Sequence, residues 1–131
     1  MTRRALPFLL LLASLDAAAD RTIAVAMDDT MRYDPAEVTV KAGEKVRFVA
    51  TNKGKLVHEM VIGTRKQLGD HAKHMREHPD MQHHDHEGML RLDPGKSGEM
   101  AYTFKRAGTF FYGCLEPGHF EAGMIGKVVV R

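Results

Sequence analysis

The only cysteine, Cys114, is followed five residues later by His119 and five residues after that by Met124. The stretch reads Cys-Leu-Glu-Pro-Gly-His-Phe-Glu-Ala-Gly-Met. A thiolate, an imidazole and a thioether form a soft donor set that suits copper. The copper geometry that uses them places two His and one Cys in a trigonal plane with a weak axial Met. The stretch supplies one His, so a second must come from elsewhere. A lone cysteine makes no internal disulfide, and in an exported protein it is a liability unless buried or ligated.

The second imidazole is expected from His58. It lies in a run, Leu56 to Ile62, whose alternation places Leu56, His58, Met60 and Ile62 on one apolar face. It is the only histidine in the strand scaffold before the ligand loop. Pro117-Gly118 turns the chain between Cys114 and His119, and Gly123 lets the backbone bend so that Met124 can approach a metal.

The scaffold reads as all-β. Alternating runs fall at Thr22 to Met27, Glu37 to Lys41, Lys45 to Asn52, Leu56 to Ile62, Ser97 to Phe104, Thr109 to Cys114 and Lys127 to Arg131. Seven short strands separated by turn signals predict a β-sandwich or barrel. Thr64 to Leu92 breaks the rhythm and carries no strand pattern. It is predicted to hold a helix from about Arg65 to His78, stopped by Pro79. A loop of that length is functional or disordered more often than not.

Residues 1–19 have the features of a secretory signal: Arg3 and Arg4, the apolar run Leu6 to Leu12, then Ala17-Ala18-Ala19 before Asp20. The apolar run is too short to span a bilayer. Residues 20–131 then form one domain, with the insert at 64–92. Removing the leader takes two basic residues and one acidic residue, so the net charge falls from +2 to +1. That balance gives no strong field for nucleic acid or anionic lipid. No stable membrane insertion is expected after leader removal, and the expected location is the periplasm.

These residues carry a resemblance. The run from Tyr33-Asp34-Pro35 through Val38-Thr39-Val40-Lys41-Ala42-Gly43-Glu44-Lys45-Val46-Arg47-Phe48 resembles the N-terminal strands of the cupredoxins, the type-1 copper family. Val57-His58-Glu59-Met60 is similar to the strand of the family's first ligand. Gly108-Thr109-Phe110-Phe111-Tyr112-Gly113-Cys114, with the C-x4-H-x4-M loop, is similar to its ligand loop. The chain resembles in particular the small periplasmic CopI-like proteins of bacterial copper tolerance. The resemblance implies a Greek-key β-sandwich and one type-1 copper held by His58, Cys114, His119 and Met124. It departs at Glu59, where many members have Asn, and at Gly113, where many have an aromatic or hydroxyl residue. It also implies a partner docking patch of Leu115, Pro117 and Phe120 around His119.

Six of the eight histidines lie between His71 and His86, with Met75, Met81 and Met89 among them. On the predicted helix His71, His74, Met75 and His78 share one face. Beyond Pro79, His83, His84 and His86 continue the same donor types. These residues are candidate ligands for a second copper, against the alternatives of a packing stripe or a solvated loop.

The function expected is one-electron Cu(II)/Cu(I) exchange in copper tolerance, with further copper held by the insert. A redox protein or a Cu(I) donor or acceptor is the expected partner. The alternatives are a dedicated electron shuttle between respiratory partners and a copper chaperone without a redox role. An enzyme is not expected, because four protein ligands leave no open position for substrate. Cuprous oxidation at an insert site is the one catalytic alternative.

Overall fold

The computed structural model describes residues 19, 21–81 and 86–131. All but the last residue of the expected leader, together with His83 and His84, fall outside them. The elements run β1 (Arg21–Asp28), β2 (Arg32–Asp34), β3 (Glu37–Val40), β4 (Lys45–Asn52), β5 (His58–Gly63), α1 (Arg65–Glu77), β6 (Met89–Leu92), β7 (Ser97–Thr103), β8 (Gly108–Gly113) and β9 (Ile125–Val130).

The strands form two mixed sheets, ordered β2-β1-β4-β7 and β3-β9-β8-β5-β6. β1 runs parallel to β4, and β3 runs parallel to β9, while the other pairs are antiparallel. This is the expected β-sandwich. Two strands were not anticipated. β2 is only three residues long, too short for alternation to register. β6 lies inside the supposed strandless insert and pairs antiparallel with β5, His58 opposite Leu92 and Val61 opposite Met89.

Inward residues of both sheets, among them Val25, Met27, Val46, Phe48, Met60, Tyr112 and Val128, fill one core that also contains Cys114 and Met124. A second, smaller core lies on the outer face of the β5–β8 sheet. There Val61, Leu68, Ala72, Met75, Met89 and Leu115 pack together, with Phe111 and Phe120 beside them. The helix supplies Leu68, Ala72 and Met75, an i, i+4, i+7 apolar stripe. Each large side chain buried there contributes about 1.5–3 kcal/mol.

α1 starts at a capping box. The Thr64 hydroxyl accepts from the Gln67 N–H at 3.2 Å, and the Thr64 N–H donates to Gln67 Oε1 at 2.9 Å. It ends at Glu77 with His78 as its C-cap, just before Pro79. With α1 packed on β5, both faces of that strand are covered, and His58, Glu59, Met60 and Val61 are all buried. The expected apolar-in, polar-out alternation therefore fails at β5. Leu56, expected on its inward face, precedes the strand and is 47% exposed.

Gly126 on β9 sits directly under the ring of Tyr112, which would overlap any added methyl. That ring packs edge-on against Tyr33 with centroids 5.0 Å apart, and its hydroxyl donates to the Pro35 carbonyl. Gly126→Ala is therefore expected to lower stability by about 1–3 kcal/mol, the usual cost of overpacking a filled core. Urea denaturation measures this, and an unchanged midpoint would contradict the packing described.

Candidate metal centre

Cys114 follows β8 directly, where the strand's hydrogen bonds fix its backbone and burial hides its side chain. Its N–H donates to the Met124 carbonyl at 3.2 Å, and the Met124 N–H donates to the His119 carbonyl at 3.1 Å. These two bonds close the ligand loop at its base. Gly118 and Gly123 take φ values of +85° and +95°, which lets so short a loop return on itself.

The loop places His119 Nδ1 3.4 Å from Cys114 Sγ. From β5, His58 Nδ1 lies 4.0 Å from the same sulfur. The three donor atoms all lie within 4.8 Å of one another. With metal–nitrogen and metal–sulfur bonds of about 2.0 and 2.3 Å, a trigonal plane separates S from N by about 3.7 Å. The two observed separations bracket that value, so one metal ion fits between these side chains with small adjustments. Met124 is fully buried in the same core as Cys114. Among the described residues, no other group of three or more His, Cys, Asp or Glu donors converges in this way.

The surroundings orient the donors. The Glu59 N–H points at Cys114 Sγ, 3.3 Å away, which favours the thiolate. His58 is fully buried, and its Nε2 lies 2.9 Å from Asp29 Oδ1, leaving Nδ1 aimed at the sulfur. Asp29 is a functional residue that the sequence reading missed. It also accepts the N–H groups of Lys55 and Leu56, at 2.7 and 3.2 Å. The Lys55 bond first and the His58 bond next, with Leu56 adding less, hold its carboxyl below the usual range. Gly54 makes room for it, since a Cβ there would overlap the Asp29 carboxylate. No spacing motif links Asp29 to His58, and only the folded turn joins them.

Burial pushes the Cys114 thiol up to about 12, against the opposing N–H groups of Glu59 and Glu116. A metal cation supplies the charge that makes the thiolate the stable form. Burial lowers the pKa of His119, and the neighbouring His58 lowers it further, which favours the neutral imidazole that binds metals.

Of the two departures from the pattern of the resemblance, Gly113 faces the second core and Glu59 is buried beside Arg91 and Glu116. A Cβ on Gly113 would press on Phe120 and Leu68 at 3.2 and 3.3 Å, so the α1 layer occupies the space a larger residue would need. Glu59 is inaccessible to solvent, with Arg91 Nε 3.7 Å from its carboxylate; the same Nε lies 3.1 Å from Glu116. Burial first, and then the charge of Glu116, raise Glu59 to about 7 against the pull of Arg91.

The insert donors divide. Met75 is buried in the second core as part of the packing stripe, so it does not share the exposed face of His74 and His78. Met89 is buried in the same cluster. His71 is half-buried, and His86 is exposed, its Nδ1 2.9 Å from the Glu87 carbonyl. The docking patch needs correction as well. Leu115 is fully buried beneath α1, which leaves exposed Pro117 and half-buried Phe120 beside His119.

With this geometry in place, the comparisons with known proteins are consistent with one another. Residues 20–131 match the family described as copper binding proteins, plastocyanin/azurin family, and the chain belongs to that family. It is 57% identical over 115 residues to the copper-resistant cuproprotein CopI of Rubrivivax gelatinosus, covering 88% of this chain and 69% of that protein. It is 35% identical over 143 residues to the CopI of Pseudomonas aeruginosa, covering 88% and 78%. The crystal structure of dithionite-reduced auracyanin from Roseiflexus castenholzii matches with a TM-score of 0.72 over 87% of this chain and 99% of that one. At 24% identity, that likeness speaks for the fold.

Asp29→Ala removes the acceptor that orients His58 and is expected to weaken copper binding about 10–100-fold, the usual cost of losing such a partner. Asp29→Asn, which keeps an oxygen there, should lose less. Competition with a copper chelator measures both, and wild-type affinity in Asp29→Ala would contradict the role of Asp29.

Proposed function

We propose that the protein is a periplasmic type-1 copper protein, in which His58, Cys114, His119 and Met124 would hold the copper. It exchanges single electrons between Cu(II) and Cu(I) in the service of copper tolerance. The observation that carries this reading is the convergence of three donor atoms of His58, Cys114 and His119 within 4.8 Å. Copper supplies the one-electron couple. The chain supplies a site that suits both oxidation states, since thiolate and thioether favour Cu(I) and imidazole tolerates either.

The tolerance role rests on the 57% identity to a protein named for copper resistance. It rests as well on the histidine-rich insert, which in this reading holds additional copper. Export through the N-terminal signal places the protein where incoming copper is first met. A redox protein or a Cu(I) donor or acceptor meets it at the His119 end, where the ring is half-buried rather than enclosed. Four protein ligands at the main centre argue for electron exchange over substrate turnover.

Cys114→Ser is expected to abolish the intense visible charge-transfer band of the oxidised, copper-loaded protein while the fold persists by circular dichroism. In the source organism, deletion is expected to cause copper sensitivity that wild type rescues and Cys114→Ser does not. A retained band would contradict ligation by Cys114. Full rescue by the serine variant would contradict the redox role in tolerance.

A further inference from the structure

We propose that His74, on the last turn of α1, and His78, at its C-cap, form a second, solvent-open metal site, a two-imidazole chelate for Cu(II). The inference deepens the insert part of the proposed function and rests on it. The two side chains are exposed and stand one helical turn apart, with ring centroids 4.7 Å apart. Their spacing is held by the helix itself, because the His78 N–H donates to the His74 carbonyl at 2.9 Å. Histidines at i and i+4 are a known arrangement for gripping a divalent cation, and here the ring of His78 stays beside that of His74 although its backbone, at φ −131° and ψ 65°, has left the helix. Cis nitrogens on a metal with bonds near 2.0 Å stand about 3 Å apart, which rings this close reach by small side-chain rotations.

The electrostatics favour a cation. The pair occupies the C-terminal end of a 13-residue helix, where the aligned peptide dipoles present negative charge. The nearby basic side chains have partners. Arg76 bonds Glu121 at 2.6 Å, and Lys73 Nζ lies 3.9 Å from Glu77.

The donor set selects the oxidation state. Met75 is buried in the second core, so it is not a donor on this face, and the two donors proposed are both imidazole nitrogens. An imidazole pair suits Cu(II), the divalent first-row ion bound most tightly by such sites. Two protein ligands leave equatorial positions to water, so the ion exchanges readily, unlike one enclosed by the Cys114 centre.

The test is a titration of copper(II) sulfate into protein whose type-1 centre is already filled, followed by electron spin resonance. Wild type is expected to take up a further equivalent with a tetragonal signal split by two nitrogens, leaving the visible band unchanged. His74→Ala and His78→Ala should each weaken that uptake by at least about tenfold, since losing a direct ligand costs no less than losing an orienting neighbour. Both variants should keep the type-1 band and the helical circular dichroism, which shows that they fold. If wild type takes up the second equivalent and either variant matches it, the chelate is wrong and the insert reading survives. If wild type takes up none, both fail, and the type-1 centre is untouched.

Discussion

The structure turns on one sulfur atom. Cys114 is buried in the main core, where its thiol holds its proton until an adjacent positive charge displaces it. The fold surrounds that sulfur with two imidazole nitrogens and the amide N–H groups of Glu59 and Glu116. None of these would be placed there to satisfy a simple core thiol, which packs well as a small apolar side chain.

The rest of the sandwich explains why the donors converge. β5 and β8 are neighbours in one sheet, so His58 at the start of β5 and Cys114 just after β8 share one end of it. The loop from Cys114 to Met124 is closed by main-chain bonds before any metal is considered. On the opposite face, α1 packs over β5 and β8 and seals the back of the site. Gly113 takes its character from that layer. Arg76 and Glu121 link the last turn of the helix to the ligand loop, and Leu115 and Phe120 of that loop pack with Leu68 and Met75.

Much of this was legible in the sequence because the donors have distinctive chemistry and the strands alternate cleanly. Cys114 and His119 could be read from spacing, and His58 from its place on an apolar strand. The helix could be read from the insert's composition and Pro79. What could not be read depended on contacts between distant segments. Asp29 reaches His58 only through a turn that folds back over Gly54. β6 is four residues long, and its partner strand is not evident from its own pattern. Leu115 looked like surface beside a ligand until the helix covered it. Met75 looked like a donor among histidines, but its helical phase matches Leu68 and Ala72, and packing claimed it.

X-ray absorption at the copper edge of the oxidised, copper-loaded protein tests the central claim most directly. A thiolate-anchored centre predicts a first shell of two nitrogens at about 2.0 Å and one sulfur at about 2.2–2.3 Å. A shell of nitrogen and oxygen alone, with no short sulfur, would contradict it.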